Sequence, residues 1–119
     1  MNTRELGAWG ERCALDFLIE KKYTAVVTGY RTRFGEIDII VCNSEFIVFV
    51  EVKLRKNSNF AEAREFVGRD KQRKLRATAG LWLAGNNNNL QPRFDVIEIY
   101  APNGAQTKSP EIIHIENAF

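Results

Sequence analysis

The spacing of apolar positions changes along this chain, and each change marks an element. Thr3 can cap a helix running to about Lys22, with Ala14, Phe17, Leu18 and the stem of Lys21 on one face. Tyr23 to Arg31 is rich in Val, Thr and Tyr and predicts a first strand. Arg31 to Gly35 reads as a basic turn. Two further strands, Glu36 to Cys42 and Phe46 to Arg55, flank Asn43-Ser44-Glu45. Helical spacing returns from about Phe60, with an interruption at Gly68, and again from Asp70 to Leu83. There Leu75, Ala79, Trp82 and Leu83 form the core stripe, and Gly85 is placed to end the helix. Arg93 to Tyr100 and Glu111 to Ile115 read as the last two strands, with Pro102-Asn103-Gly104 as a turn between them. The order α-β-β-β-α-β-β predicts an α/β fold: a mixed central sheet of about five strands flanked by helices. A length of 119 residues suits a single domain spanning 1–119.

The central hairpin carries the chemistry. Side chains alternate across a strand, so Glu36, Asp38, Ile40 and Cys42 share one face. Ile47, Phe49, Glu51, Lys53 and Arg55 share a face of the next strand. A two-residue loop at Ser44-Glu45 sets Cys42 opposite Ile47, Ile40 opposite Phe49, Asp38 opposite Glu51 and Glu36 opposite Lys53. The other face then pairs Val41 with Val48, Ile39 with Val50 and Ile37 with Val52. A slip of one residue would set charge against the core, so the pattern specifies the register. Two carboxylates directly opposite destabilise a strand pair unless something neutralises them. A divalent cation does so, and hard oxygen ligands suit magnesium or manganese. Lys53, two residues from Glu51, could activate water or stabilise charge on a phosphate. The plainer alternative is a buried salt-bridge cluster without activity.

Glu11 shares a helical stripe with Gly7, Ala14, Leu15 and Leu18, the side expected to face the sheet. Gly7 and Gly10 cost helix stability, which suggests space kept beside an inward carboxylate.

Net charge, +2, becomes informative only when divided along the chain. Lys53 to Arg76 holds nine Lys or Arg residues against three acids, a surplus of six, on a body that is otherwise mildly acidic. Clustered cations favour a polyanionic partner through counterion release. Arg31, Arg33, Arg55, Lys56, Lys71, Arg73 and Lys74 are the candidate phosphate contacts, with Arg76 beside them. No apolar run reaches membrane-spanning length and no secretory signal opens the chain, so a cytoplasmic protein without a membrane partner is expected. Cys13 and Cys42 read as free buried thiols, and His114 with them has no zinc-ligand spacing. Gln72 falls on the second helix's core stripe and is expected to hydrogen-bond backbone. Asp95 reads as half of a structural salt bridge, His114 as a sheet-packed ring, and Trp9 and Trp82 as core aromatics.

Gly35-Glu36-Ile37-Asp38-Ile39-Ile40, followed by Glu51-Val52-Lys53, resembles the PD-(D/E)xK nuclease superfamily. The wider chain resembles one branch, the bacterial YraN-like family, similar to archaeal Holliday-junction resolvases. Gly7-Ala8-Trp9-Gly10-Glu11, Tyr30-Arg31, Lys71-Gln72-Arg73-Lys74-Leu75, Arg93-Phe94-Asp95-Val96 and Ile115-Glu116-Asn117-Ala118-Phe119 extend the likeness nearly end to end. Ile37 stands where the superfamily's proline would, and Gly29 where relatives tend to have asparagine. The resemblance implies a restriction-endonuclease-like fold with Asp38, Glu51, the Val52 carbonyl and Glu11 as metal ligands. Lys53 would be the catalytic lysine. It also implies metal-dependent hydrolysis of DNA, branched DNA favoured, and a homodimer. A nucleic-acid-binding module that does not cut, or a nuclease acting on RNA, are the alternatives; Glu36 and Gln72 are further candidates at the site.

Overall fold

Asn2, rather than Thr3, starts the first helix: its Oδ1 accepts the Glu5 N–H at 2.8 Å, the bond an N-cap side chain supplies. The computed structural model describes residues 2–56 and 67–119. Helix α1 spans Thr3–Glu20 and ends two residues short of the expected Lys22, which turns to a φ of 77°. Strands β1 (Thr24–Thr32), β2 (Gly35–Cys42) and β3 (Phe46–Arg55) follow, then α2 (Arg69–Gly85), β4 (Gln91–Tyr100) and β5 (Glu111–Ile115), with a short 3-10 turn at Gly104–Gln106. The helical segment expected from Phe60 lies outside the described residues up to 66. Gly68, expected as an interruption, is the N-cap of α2.

The strands form one sheet in chain order. β1, β2 and β3 run antiparallel, β3 and β4 run parallel across the α2 crossover, and β4 and β5 close an antiparallel hairpin. This mixed five-stranded sheet with two helices is consistent with a restriction-endonuclease-like fold. α1 covers one face through Ala14 and Leu18 on Ile39, Val41, Val48, Val50, Ile97 and Ile99, with Trp9 at the margin. α2 covers the other through Leu75, Ala79 and Trp82 on Ile40, Ile47 and Phe49.

The β2–β3 turn follows the expected two-residue loop. Asn43 Oδ1 accepts the N–H groups of Glu45 and Phe46, and the Asn43 N–H reaches the Phe46 carbonyl. From there the expected pairs hold from Cys42 with Ile47 back to Ile39 with Val50. Then the ladder ends. Asp38 opposite Glu51, Glu36 opposite Lys53 and Ile37 opposite Val52 are not ladder pairs, which corrects the sequence expectation. Ile37 packs with the α2-side cluster while Ile39 packs under α1, so alternation breaks at Asp38. The break lies beside an irregularity on the neighbouring strand. Gly29 sits between Thr28, opposite Ile39, and Tyr30, opposite Ile37, at a φ of +63°. Glycine adopts this left-handed backbone most readily, with asparagine next.

A second polar device anchors β4. Asp95 is fully buried, yet its two oxygens take Arg93 Nε and Nη2, each at 2.8 Å, His114 Nε2 at 2.7 Å and the Asn117 N–H at 3.0 Å. Arg93 also donates to the Tyr23 hydroxyl at 2.6 Å. These partners hold the Asp95 carboxyl below its ordinary range although burial alone would raise it. The structural readings of Asp95 and His114 therefore hold. Asp95→Ala strands the Arg93 charge, and chemical denaturation is expected to show a loss of about 3–5 kcal/mol. Gly29→Ala should cost about 1–2 kcal/mol and Gly29→Asn clearly less; equal losses would count against the left-handed backbone as the reason for this residue.

Candidate metal centre

The opening between β2 and β3 is where the charged residues gather. Asp38 Oδ2 accepts the Val52 N–H at 2.8 Å, taking the place of a backbone partner beyond the end of the ladder. The N–H and C=O of a strand residue point to the same side, so the Val52 carbonyl opens onto the same gap. The Asp38 and Glu51 carboxyls hydrogen-bond each other. Sequence pairing anticipated their proximity, but the contact is made across an opened ladder rather than between paired strands.

Glu51 is 6 % exposed and carries two cations. Lys53 Nζ lies 3.4 Å from its Oε2, and Lys71 Nζ, from the first turn of α2, bonds the same oxygen. On the other side, oxygens of Glu11, Glu36 and Asp38 all lie within 4.8 Å of one another. Glu11 comes from α1 next to the buried Gly10, where an added Cβ would meet Leu54 Cδ1 at an ordinary contact distance of 3.6 Å, so the glycine is not required for the approach of the helix. Arg31 Nε lies 3.3 Å from Glu36 Oε2. Asp38 thus joins two groups, one of three acids with Arg31 at its edge and one in which a carboxylate is held by two lysines.

The proton balance follows from these contacts. Burial is the largest influence on Asp38 and, with the hydrogen bond to Glu51 and the charges of Glu51 and Glu11, pushes its carboxyl up to about 8. Burial also raises Glu51, but the Asp38 proton and the ammoniums of Lys71 and Lys53 outweigh it and hold that carboxyl below its ordinary value. Glu11 is raised by burial and by the Glu36 and Glu51 charges, against the pull of Arg31. Lys71 is raised, because Glu51 outweighs the cost of its burial. At neutral pH the Asp38–Glu51 pair therefore holds one proton between two carboxyls.

Other expected residues fall around this centre to different degrees. Lys71 and Lys74, with Gly35, Glu36, Asp70 and Leu75, line a cleft of about 230 Å³ beside it. Arg73 and Lys74 pair with Asp70 at 3.0 and 3.5 Å. The Arg33 guanidinium lies 4.9 Å from the centre of the Phe34 ring, and that of Arg76 lies over Phe94 and Phe119. Arg55 is half-buried on β3, and Lys56 lines a different cleft with Leu6, Ala101 and Pro102. Gln72 Nε2 donates to the Val67 carbonyl at 2.7 Å, the backbone role expected of it. Cys13 and Cys42 are free and half-buried.

One buried acid escaped the sequence reading. Glu98 lies on β4 in register with Lys53 and is 5 % exposed. Its Oε1 accepts the Tyr100 hydroxyl at 3.3 Å, and its Oε2 is buried without a hydrogen-bond partner among the described residues. A glutamate inside the run Val96-Ile97-Glu98-Ile99 was the signal available.

Between its ordinary value of 3.8 and about 8, the folded chain keeps an Asp38 proton that the unfolded chain has released. The stability contributed by Asp38 is thus complete below about pH 4 and lost as pH rises to about 8. Unfolding free energies of the metal-free protein between pH 5 and pH 8.5 are expected to fall less steeply for Asp38→Asn than for the natural chain. Parallel curves would show that Asp38 titrates normally.

Comparison with known proteins places the centre in a family. The sequence model described as "Uncharacterised protein family UPF0102" matches residues 10–99, a range that contains Glu11, Glu36, Asp38, Glu51, Lys53 and Lys71. A UPF0102 protein of Clostridioides difficile is 40% identical over 120 residues, covering 100% of both chains. One from Acetivibrio thermocellus is 41% identical over 121 residues, covering 99% of this chain and 93% of its own. One from Rhodococcus jostii is 37% identical over 115 residues, covering 96% and 95%. The likeness runs through both helices and every strand, and the chain belongs to the uncharacterised, YraN-like family UPF0102.

Proposed function

We propose that this protein is a magnesium- or manganese-dependent nuclease of the PD-(D/E)xK type that hydrolyses phosphodiester bonds in DNA, with branched or flapped DNA as its preferred substrate. The observation that carries the reading is the contact of half-buried Asp38 with buried Glu51, flanked by Lys53 and by two further carboxylates. In a structural ion-pair cluster each carboxylate meets its own cation. Here Glu11, Glu36 and Asp38 converge on one another with Arg31 as the cation at their rim, an arrangement that suits a hard cation. The donor set fits magnesium or manganese: Asp38, Glu51 and Glu11 with the Val52 carbonyl, and Glu36 as an added ligand. Such an ion, when bound, supplies Lewis acidity toward a phosphoryl oxygen and toward water.

The protein's own groups do the rest. Lys53 holds a positive charge beside Glu51, where it can orient a water and hold or pass a proton. Lys71 reaches the same oxygen from α2 and sets a second ammonium where negative charge grows on the phosphate. The cleft at Lys71 and Lys74 gives the backbone a cationic path to the acids, and the surplus of cations from Lys53 to Arg76 supports a polyanionic substrate. The preference for DNA, and for branched forms of it, rests on the resemblance to junction resolvases.

A panel of linear, flapped and four-way DNA substrates, with matched RNA, tests the reading in magnesium and manganese. Cutting of DNA is expected with either ion and none with chelator. Asp38→Ala and Glu51→Ala should each lower the rate by at least about 10³-fold and Lys53→Ala by about 10²-fold, the scale of lost acid–base and electrostatic groups. Undiminished cutting by both carboxylate variants would remove the site.

A further inference from the structure

The tip of the β1–β2 hairpin carries a feature that the metal centre does not use. Its two-residue loop is Arg33-Phe34, closed by the Thr32–Gly35 pair. Thr32 Oγ1 accepts the Phe34 N–H at 3.1 Å and donates to the Gly35 carbonyl at 3.3 Å. The same hydroxyl lies 3.4 Å from Thr78 Oγ1 on α2, and a Cβ added to Gly35 would stand 3.4 Å from that atom. The tip therefore rests directly on α2 and is held in place. Phe34 nevertheless leaves 39% of its surface exposed, with the Arg33 guanidinium 4.9 Å from the ring centre. A single exposed apolar residue is ordinary on a protein surface. Its position here is not, because one short strand segment links it to the site. Gly35 and Glu36 form one wall of the cleft; Glu36 belongs to the acidic cluster, and Lys71 on the facing wall bonds Glu51.

We propose that Phe34 is a stacking platform for an unpaired nucleobase next to the phosphate held at Glu51, Lys53 and Lys71, so that the substrate is one with single-stranded nucleotides beside the scissile bond. The inference rests on the nuclease reading and narrows its substrate class. Bases inside a duplex are stacked on one another and offer no face to a side chain at a hairpin tip, whereas an unpaired base does. The phenyl ring has no hydrogen-bonding group, so the contact is indifferent to base identity. Arg33 supports the ring and places a charge for the neighbouring phosphate, with Lys74 on the opposite wall of the cleft. Phe34 thus selects unpaired structure, and the lysines select the polyanion.

Equilibrium binding of labelled DNA in calcium tests this, comparing a fully paired duplex with the same duplex bearing a single-stranded flap. Phe34→Ala should keep the circular dichroism and melting temperature of the natural chain, weaken flap binding by about tenfold, and leave duplex binding unchanged. Phe34→Tyr should restore flap binding, since the ring is retained. Flap binding that is indifferent to Phe34→Ala, or an equal loss on flap and duplex, overturns the stacking role and leaves the nuclease reading standing. Failure of the natural chain to bind either DNA overturns the nuclease reading, and the stacking role with it.

Discussion

Two carboxyl groups held in contact away from bulk water do not both ionise without a cation near them, and the contact of half-buried Asp38 with buried Glu51 shapes the structure around it. Lys53 and Lys71 offset the charge of Glu51 from two directions, one from the same strand and one from the crossover helix. The Val52 N–H steadies Asp38, but burial and the neighbouring acids prevail, and the pair retains a proton. Glu11 and Glu36 bring more negative charge to the same place rather than less. A fold selected for stability alone would gain by replacing such a cluster with apolar groups of similar volume. Its retention among hydrophobic strands is what points to chemistry.

The backbone makes this contact available through a local departure from regular sheet. Gly29 takes a left-handed conformation, alternation along β2 breaks at Asp38, and the β2–β3 ladder ends after Ile39 and Val50. A continued ladder would have kept Asp38 in strict alternation on one face. The opened ladder instead lets Asp38 reach the Val52 N–H, while Glu11 approaches from α1 and Lys71 from α2. The other end of β4 is held by the saturated Arg93–Asp95–His114 network. There a buried carboxylate has all its partners, which is the arrangement expected of a structural ion pair and a useful contrast to the centre.

Much of this was legible in the sequence, for identifiable reasons. The element order, the Ser44-Glu45 loop and the four pairs that follow from it are fixed by hydrophobic alternation, a strong and local signal. The same rule failed past Ile39, because it assumes an unbroken ladder and cannot register a left-handed residue on the neighbouring strand. Asp38, Glu51 and Lys53 could be brought together from their spacing alone. Glu36 could not be placed with Glu11, since that contact depends on where the ladder opens and on how α1 lies across the sheet. Glu98 was hidden within an apolar run. The N-cap was misplaced by one residue because Asn2 and Thr3 are both capping types and only geometry separates them.

A bound cation would take the place of the proton that Asp38 and Glu51 share. Calorimetric titration with manganese at pH 7, in two buffers of different ionisation enthalpy, counts the protons released on binding. Release of about one proton per site is expected, with binding lost in Asp38→Ala. No binding, or binding that releases no proton and survives in Asp38→Ala, would contradict the account.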